Sequence, residues 1–154
     1  MKKWLYILLI FFWAIPSGFA QLKTYTFEQA EKSSKENPKP FVVFIHTSWC
    51  NYCKMMENST FKNSEIIALL NDNFYFISFD AESKEDIHIN NHTYQFKPNG
   101  QNTGIHELAT ALATINSQVV YPTVTILQTD FSIVFQKGSF LSGKELIAIL
   151  KKIK

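Results

Sequence analysis

Thr47-Ser48-Trp49-Cys50-Asn51-Tyr52-Cys53-Lys54 holds the only two cysteines among 154 residues. They stand three apart, after the apolar run Phe41 to Ile45 and before a segment with helical character. A disulfide stabilises mainly by closing a loop in the unfolded chain, and a loop this short constrains little. The spacing suits chemistry better than stapling. If Cys50 opens a helix, unpaired backbone N–H groups and the positive end of the helix dipole favour its thiolate. Cys50 is therefore expected to be the nucleophile. Cys53, one turn on and covered by the helix, is expected to resolve the mixed disulfide from inside.

Outward from this motif, apolar patterning lays out alternating elements. Phe41 to Ile45 reads as a strand buried on both faces, and Phe74 to Phe79 as a second. Thr26 and Gln29 form a capping box for a helix ending before Pro38, and Asn63 is placed to cap a helix carrying Ile66, Ile67, Leu69 and Leu70. Strand, helix and parallel strand imply an α/β sheet with helices on both faces. Residues 83–103 are polar, and Ile87, Ile89, Tyr94 and Phe96 around Asn90-Asn91 predict a small hairpin. A helix is expected over Gly104 to Asn116, with Ile105, Leu108, Leu112 and Ile115 on one face. Thr123–Leu127 and Phe131–Phe135 read as an antiparallel pair, followed by a helix capped by Ser142 and Glu145.

The chain opens with Lys2-Lys3, an apolar stretch from Trp4 to Ile15, and small residues at Gly18 and Ala20. That pattern predicts a secretory leader over residues 1–20, cleaved before Gln21, and one domain over 21–154. The apolar run falls short of the roughly 20 residues that span a bilayer, an uncleaved anchor being the alternative. Export, to the periplasm or beyond, puts the cysteines in an oxidising compartment. Two of the 15 basic residues lie in the leader, so 13 lysines balance 13 acids in the remainder, and there is no arginine. Nucleic acid and anionic membranes are poor partners for such a chain.

Trp49-Cys50-Asn51-Tyr52-Cys53-Lys54, with Glu57, Thr60-Phe61 and Leu69-Leu70, after a buried strand and followed at a distance by Pro122 before a hairpin, resembles the thioredoxin-like superfamily. The similarity runs from Thr24 to Lys154 and is strongest to exported bacterial members and to the C-terminal periplasmic domain of the thiol:disulfide interchange reductase. It implies a central mixed β-sheet flanked by helices, with an insertion at about 83–113 before the cis-proline strand; Cys50 to Pro122 is about 25 to 30 residues longer than a minimal member needs. It also implies a protein thiol:disulfide oxidoreductase with no cofactor. Trp49, Tyr121 and Pro122 would then meet substrate, the backbone of Tyr121 pairing with an extended substrate strand. Asn51 and Tyr52 would modulate the potential. Phe44 stands where the family usually has a buried acid.

The implied partners are protein substrates bearing disulfides or dithiols, and a membrane electron donor or acceptor. A reductant is expected; a dithiol oxidase or isomerase, a redox-inactive binding module and a metal-binding protein are the alternatives. No metal site is expected, because His88 and His92 lie 35 and 39 positions past Cys53. With Tyr94 and Phe96 they would supply partner contacts if the insertion borders the site. His46, four before Cys50, either lies beside the thiolate as a modulator or simply ends the strand.

Overall fold

The structure is a computed structural model that describes residues 20–154. The expected leader, apart from Ala20, lies outside the described residues. The chain forms α1 (Phe27–Glu36), β1 (Phe41–His46), α2 (Asn51–Asn58), a 3-10 turn (Thr60–Lys62), α3 (Ser64–Asn73) and β2 (Tyr75–Asp80). Three small antiparallel pairs surround the next helix: β3 (Ile87–Ile89) with β4 (His92–Tyr94), β5 (Phe96–Pro98) with β6 (Gly104–His106), then α4 (Glu107–Ala113), then β7 (Thr114–Ile115) with β8 (Gln118–Val119). β9 (Thr123–Leu127), β10 (Ile133–Lys137) and α5 (Gly143–Ile153) complete the chain.

Four strands make the central sheet in the order β10-β9-β1-β2. β1 runs parallel to β2, from Phe41 opposite Tyr75 to His46 opposite Asp80, and antiparallel to β9. Because side chains alternate along a strand, β1 feeds two cores. Phe41, Val43 and Ile45 join Tyr75, Ile77 and Phe79 under α1 and α4. Val42 and Phe44 join Phe76, Val124 and Ile126 under α2, α3 and α5. The central mixed sheet with helices on both faces is the architecture expected. The free edge of β2 is partly covered by the chain before α1, where Tyr25 N–H donates to Phe76 O at 2.9 Å and Asn71 binds the backbone of both Gln21 and Lys23.

Local chemistry explains the helix ends. Thr26 and Gln29 bond reciprocally, as do Ser142 and Glu145. Asn63 Oδ1 accepts from the N–H groups of Glu65 and Ile66, at 2.9 and 3.2 Å.

The structure departs from expectation in three places. Asn90 and Asn91, at φ of 53° and 58°, turn the β3–β4 hairpin as foreseen, but Phe96 belongs to the separate β5–β6 pair, opposite His106. The helix foreseen over 104–116 spans only Glu107–Ala113. Gly104 is held in β6, so close to β5 that a Cβ there would lie 2.5 Å from Lys97 O, and His106 caps the helix by accepting Leu108 N–H at Nδ1, 3.2 Å. At the other end Asn116 and Ser117, both at positive φ, fold Ile115 back into the β7–β8 pair. Finally Phe131 lies in the turn rather than in β10, its ring stacked on Phe41 at 5.3 Å; the strand begins at Ile133 with a bulge.

Asn63→Ala should lower the unfolding free energy by about 1 kcal/mol in urea denaturation, because two N–H donors at the start of α3 lose their acceptor. An unchanged midpoint would mean that the cap contributes nothing.

Candidate active site

β1 ends at His46, and the chain turns through Thr47 to Cys50, Cys50 N–H donating to Thr47 O at 3.3 Å. Cys50 is the N-cap of α2, and its sulfur accepts from the N–H of Cys53 at 3.2 Å. The two form a disulfide, their Cα atoms 5.3 Å apart. Cys53 is buried, and Cys50 is 6% exposed. No acidic residue occupies the first turn of α2 to offset the positive end of its dipole. Opening the disulfide would leave Cys50 Sγ facing that helix end, which favours a thiolate.

A second stretch reaches the motif from the loop before β9. The Tyr121–Pro122 bond is cis and directly precedes β9. Tyr121 meets Trp49 edge to face, ring centroids 5.9 Å apart. Trp49 is 63% exposed and its indole N–H donates to Glu82 Oε1 at 3.1 Å. Trp49, beside Cys50, and Tyr121, beside Pro122, thus meet from two distant stretches. Asn51 and Tyr52 lie exposed on the first turn of α2, followed by Met55, also exposed. Neither Glu82 nor the open face of Met55 was legible in advance; Glu82 lies 33 residues from its partner and no spacing rule joins them.

Burial, then the nearby carboxylates of Glu82 and Asp80, push the Tyr121 hydroxyl up to about 12. That hydroxyl and the one on Thr47 are buried without a hydrogen-bond partner.

His46 lies behind the motif. Its ring stacks on Phe44, its Nε2 is 3.1 Å from Ser78 Oγ, and its Nδ1 is 4.0 Å from Glu57 Oε1. Glu57 follows Cys53 by one turn of α2. Phe44 is buried against Phe61, and a cleft of about 540 Å³ opens beside them, walled by Phe76, Glu57, Ser78 and the chain around Leu22.

The insertion presents its histidines elsewhere. His88 bonds Thr93, and His92 packs on Tyr94, both on the exposed β3–β4 hairpin. Tyr94 also packs against the core under α1 and α4, and Phe96 lies beneath Lys84. Among the described residues no group of three or more His, Cys, Asp or Glu is arranged to hold a metal ion. His106, fully buried, was not foreseen either. Its Nδ1 accepts Leu108 N–H and its Nε2 faces Glu85 O at 3.1 Å, so both nitrogens serve the insertion's own fold; burial holds its pKa below the usual value.

The model of the thioredoxin-like domain matches residues 27–154. Spermatogenesis-associated protein 20 of Mus musculus is 42% identical over 60 residues, which are 39% of this chain and 8% of that protein, and its Homo sapiens counterpart is 38% identical over the same share. The chain therefore spans a small fraction of those curated relatives. Among solved structures, the DsbH oxidoreductase superposes with a TM-score of 0.63 at 20% identity, covering 90% of this chain and 88% of its own. A thioredoxin from Thermus thermophilus gives 0.62 at 18%, covering 86% and 87%. The C-terminal domain of Neisseria meningitidis DsbD in its reduced form gives 0.51 at 18%, covering 81% and 90%. At these identities the likeness carries the fold.

The raised pKa of Tyr121 has a consequence for alkaline stability. Its proton is lost first in the unfolded chain, at about 10, so the stability it contributes is complete below that pH and is lost as pH rises towards 12. Tyr121→Phe should lose less stability than the parent between pH 9 and about 11.5 in urea unfolding, and equal losses would show that another group titrates.

Proposed function

This chain belongs to the thioredoxin-like domain family, and on that premise we propose that it is an exported thiol:disulfide oxidoreductase acting as a reductant of protein disulfides. The observation that carries the reading is the Cys50–Cys53 disulfide at the head of α2, with Cys50 Sγ as the cap of that helix. A pair closing a four-residue loop adds little stability, so its place at a helix N-terminus is explained by reactivity.

In the reducing direction, Cys50 thiolate attacks one sulfur of a substrate disulfide. The other substrate sulfur leaves as a thiolate and takes up a proton. Cys53 loses its proton and attacks Cys50 Sγ, which closes the intramolecular disulfide and expels the second substrate thiolate. Two electrons pass from the cysteine pair to the substrate, and no cofactor enters. Trp49, Tyr121 and Pro122 form the surface that receives the substrate chain. Asn51 and Tyr52, on the turn between the sulfurs, and His46, near Glu57, modulate the potential. Support for the redox reading comes from proteins of similar fold, which include the DsbH oxidoreductase and a DsbD C-terminal domain solved in both reduced and oxidised forms.

Residues 1–20 serve as the leader and 21–154 as the working domain; among the described residues no helix is long and apolar enough to cross a membrane. In an oxidising compartment a reductant needs resupply, which assigns the chain a membrane electron donor as its second partner.

Cys50→Ser should abolish insulin reduction, and Cys53→Ser should accumulate a mixed disulfide with substrate visible on a non-reducing gel. Undiminished turnover in Cys50→Ser would refute the assignment of the nucleophile. Equilibration with glutathione should place the pair near about −270 mV, as for a reductant. A value near about −120 mV would make the chain a dithiol oxidase instead.

A further inference from the structure

Trp49 is the largest side chain on the open face of the site, and an indole 63% exposed on a loop has few packing contacts to select one rotamer. Two neighbours select it here. The ring edge meets Tyr121, and the N–H donates to the carboxylate of Glu82 at 3.1 Å, a charge-assisted bond. Glu82 is itself seated from three sides. Its own N–H donates to Asp80 Oδ1 at 3.0 Å. The preceding residue, Ala81, is fully buried and donates its N–H to His46 O at 2.8 Å, at the end of β1. Ala81 O accepts the N–H of His106, also at 2.8 Å, from β6 of the insertion. The loop carrying Glu82 is therefore pinned between the strand that delivers the cysteines and the segment that lengthens this chain.

We infer that Glu82 is a positioning residue for disulfide exchange: it fixes the indole of Trp49 as a wall of the surface on which a substrate protein meets Cys50, and the insertion fixes Glu82. This role rests on the oxidoreductase reading above. The physical gain is preorganisation, because an indole already held in its bound rotamer does not have to be ordered when substrate arrives. Glu82 contacts no sulfur, so its effect falls on substrate binding rather than on the exchange of sulfurs, and it should appear in KM rather than in kcat.

The test uses the full chain with Trp4 and Trp13 replaced by Phe, which leaves Trp49 as the sole indole of the three. Glu82→Ala should lower the fluorescence anisotropy of Trp49 and raise KM for insulin about fivefold, the factor that corresponds to ordering one side chain on binding, with kcat within about twofold. Reduction of a small aromatic disulfide should stay at the parental rate, which together with an unchanged far-UV circular dichroism spectrum excludes misfolding. Glu82→Gln should restore both anisotropy and KM, since its amide oxygen can accept the same bond. Parental anisotropy and KM in Glu82→Ala would overturn the role. A Glu82→Gln variant as impaired as Glu82→Ala would also overturn it, by assigning the effect to charge. Lack of insulin reduction in the parent would sink the oxidoreductase reading and this role with it, whereas unchanged anisotropy in Glu82→Ala would sink only this one.

Discussion

The burial of β1 on both faces is the constraint from which the remaining structure follows. Phe41, Val43 and Ile45 need cover on one side and Val42 and Phe44 on the other, so helices must lie on both faces of the sheet. β2 and β9 satisfy the backbone of β1 from its two sides. Such a strand has little freedom to slip, since a shift of one residue would exchange its two cores. Its end at His46 therefore sits at a defined point, and the turn through Thr47 delivers Cys50 to the head of α2.

That delivery matters because a thiol gains reactivity from position. Held as the cap of α2, Cys50 Sγ already accepts the N–H of Cys53, and the same donor and the helix dipole would favour a thiolate once the disulfide opened. Cys53 and Met56 anchor the other side of the helix in the core, while Tyr52 and Met55 stay in solvent. One short helix thus exposes apolar side chains next to the motif while both cysteines stay buried, Cys53 the more deeply.

The insertion supplies its own stability through a buried histidine, a glycine in close contact and two two-stranded pairs, and it keeps its exposed histidines on a hairpin. Its link to the site is a backbone bond from His106 to Ala81, next to the carboxylate that holds Trp49. A surface addition can in this way bear on an active site without contributing a side chain to it.

Patterns of short range were enough to read the sheet, the capping boxes at Thr26 and Ser142, the cap at Asn63 and the two thiols, because period, cap chemistry and the Cys-x-x-Cys spacing are local properties. The helix over 104–116 fails for the same reason: Ile105, Leu108, Leu112 and Ile115 have helical spacing, yet cross-strand pairing of Gly104 with Pro98 and of Ile115 with Gln118 claims both ends. What joins Trp49 to Glu82 and Tyr121, or His46 to Ser78, spans tens of residues with no periodic signature. The sequence by itself determined which residues could form strands, cap helices and exchange electrons. Which side chains meet around the sulfurs was decided only by the tertiary structure, because strand register and the path of the insertion bring those residues within bonding distance.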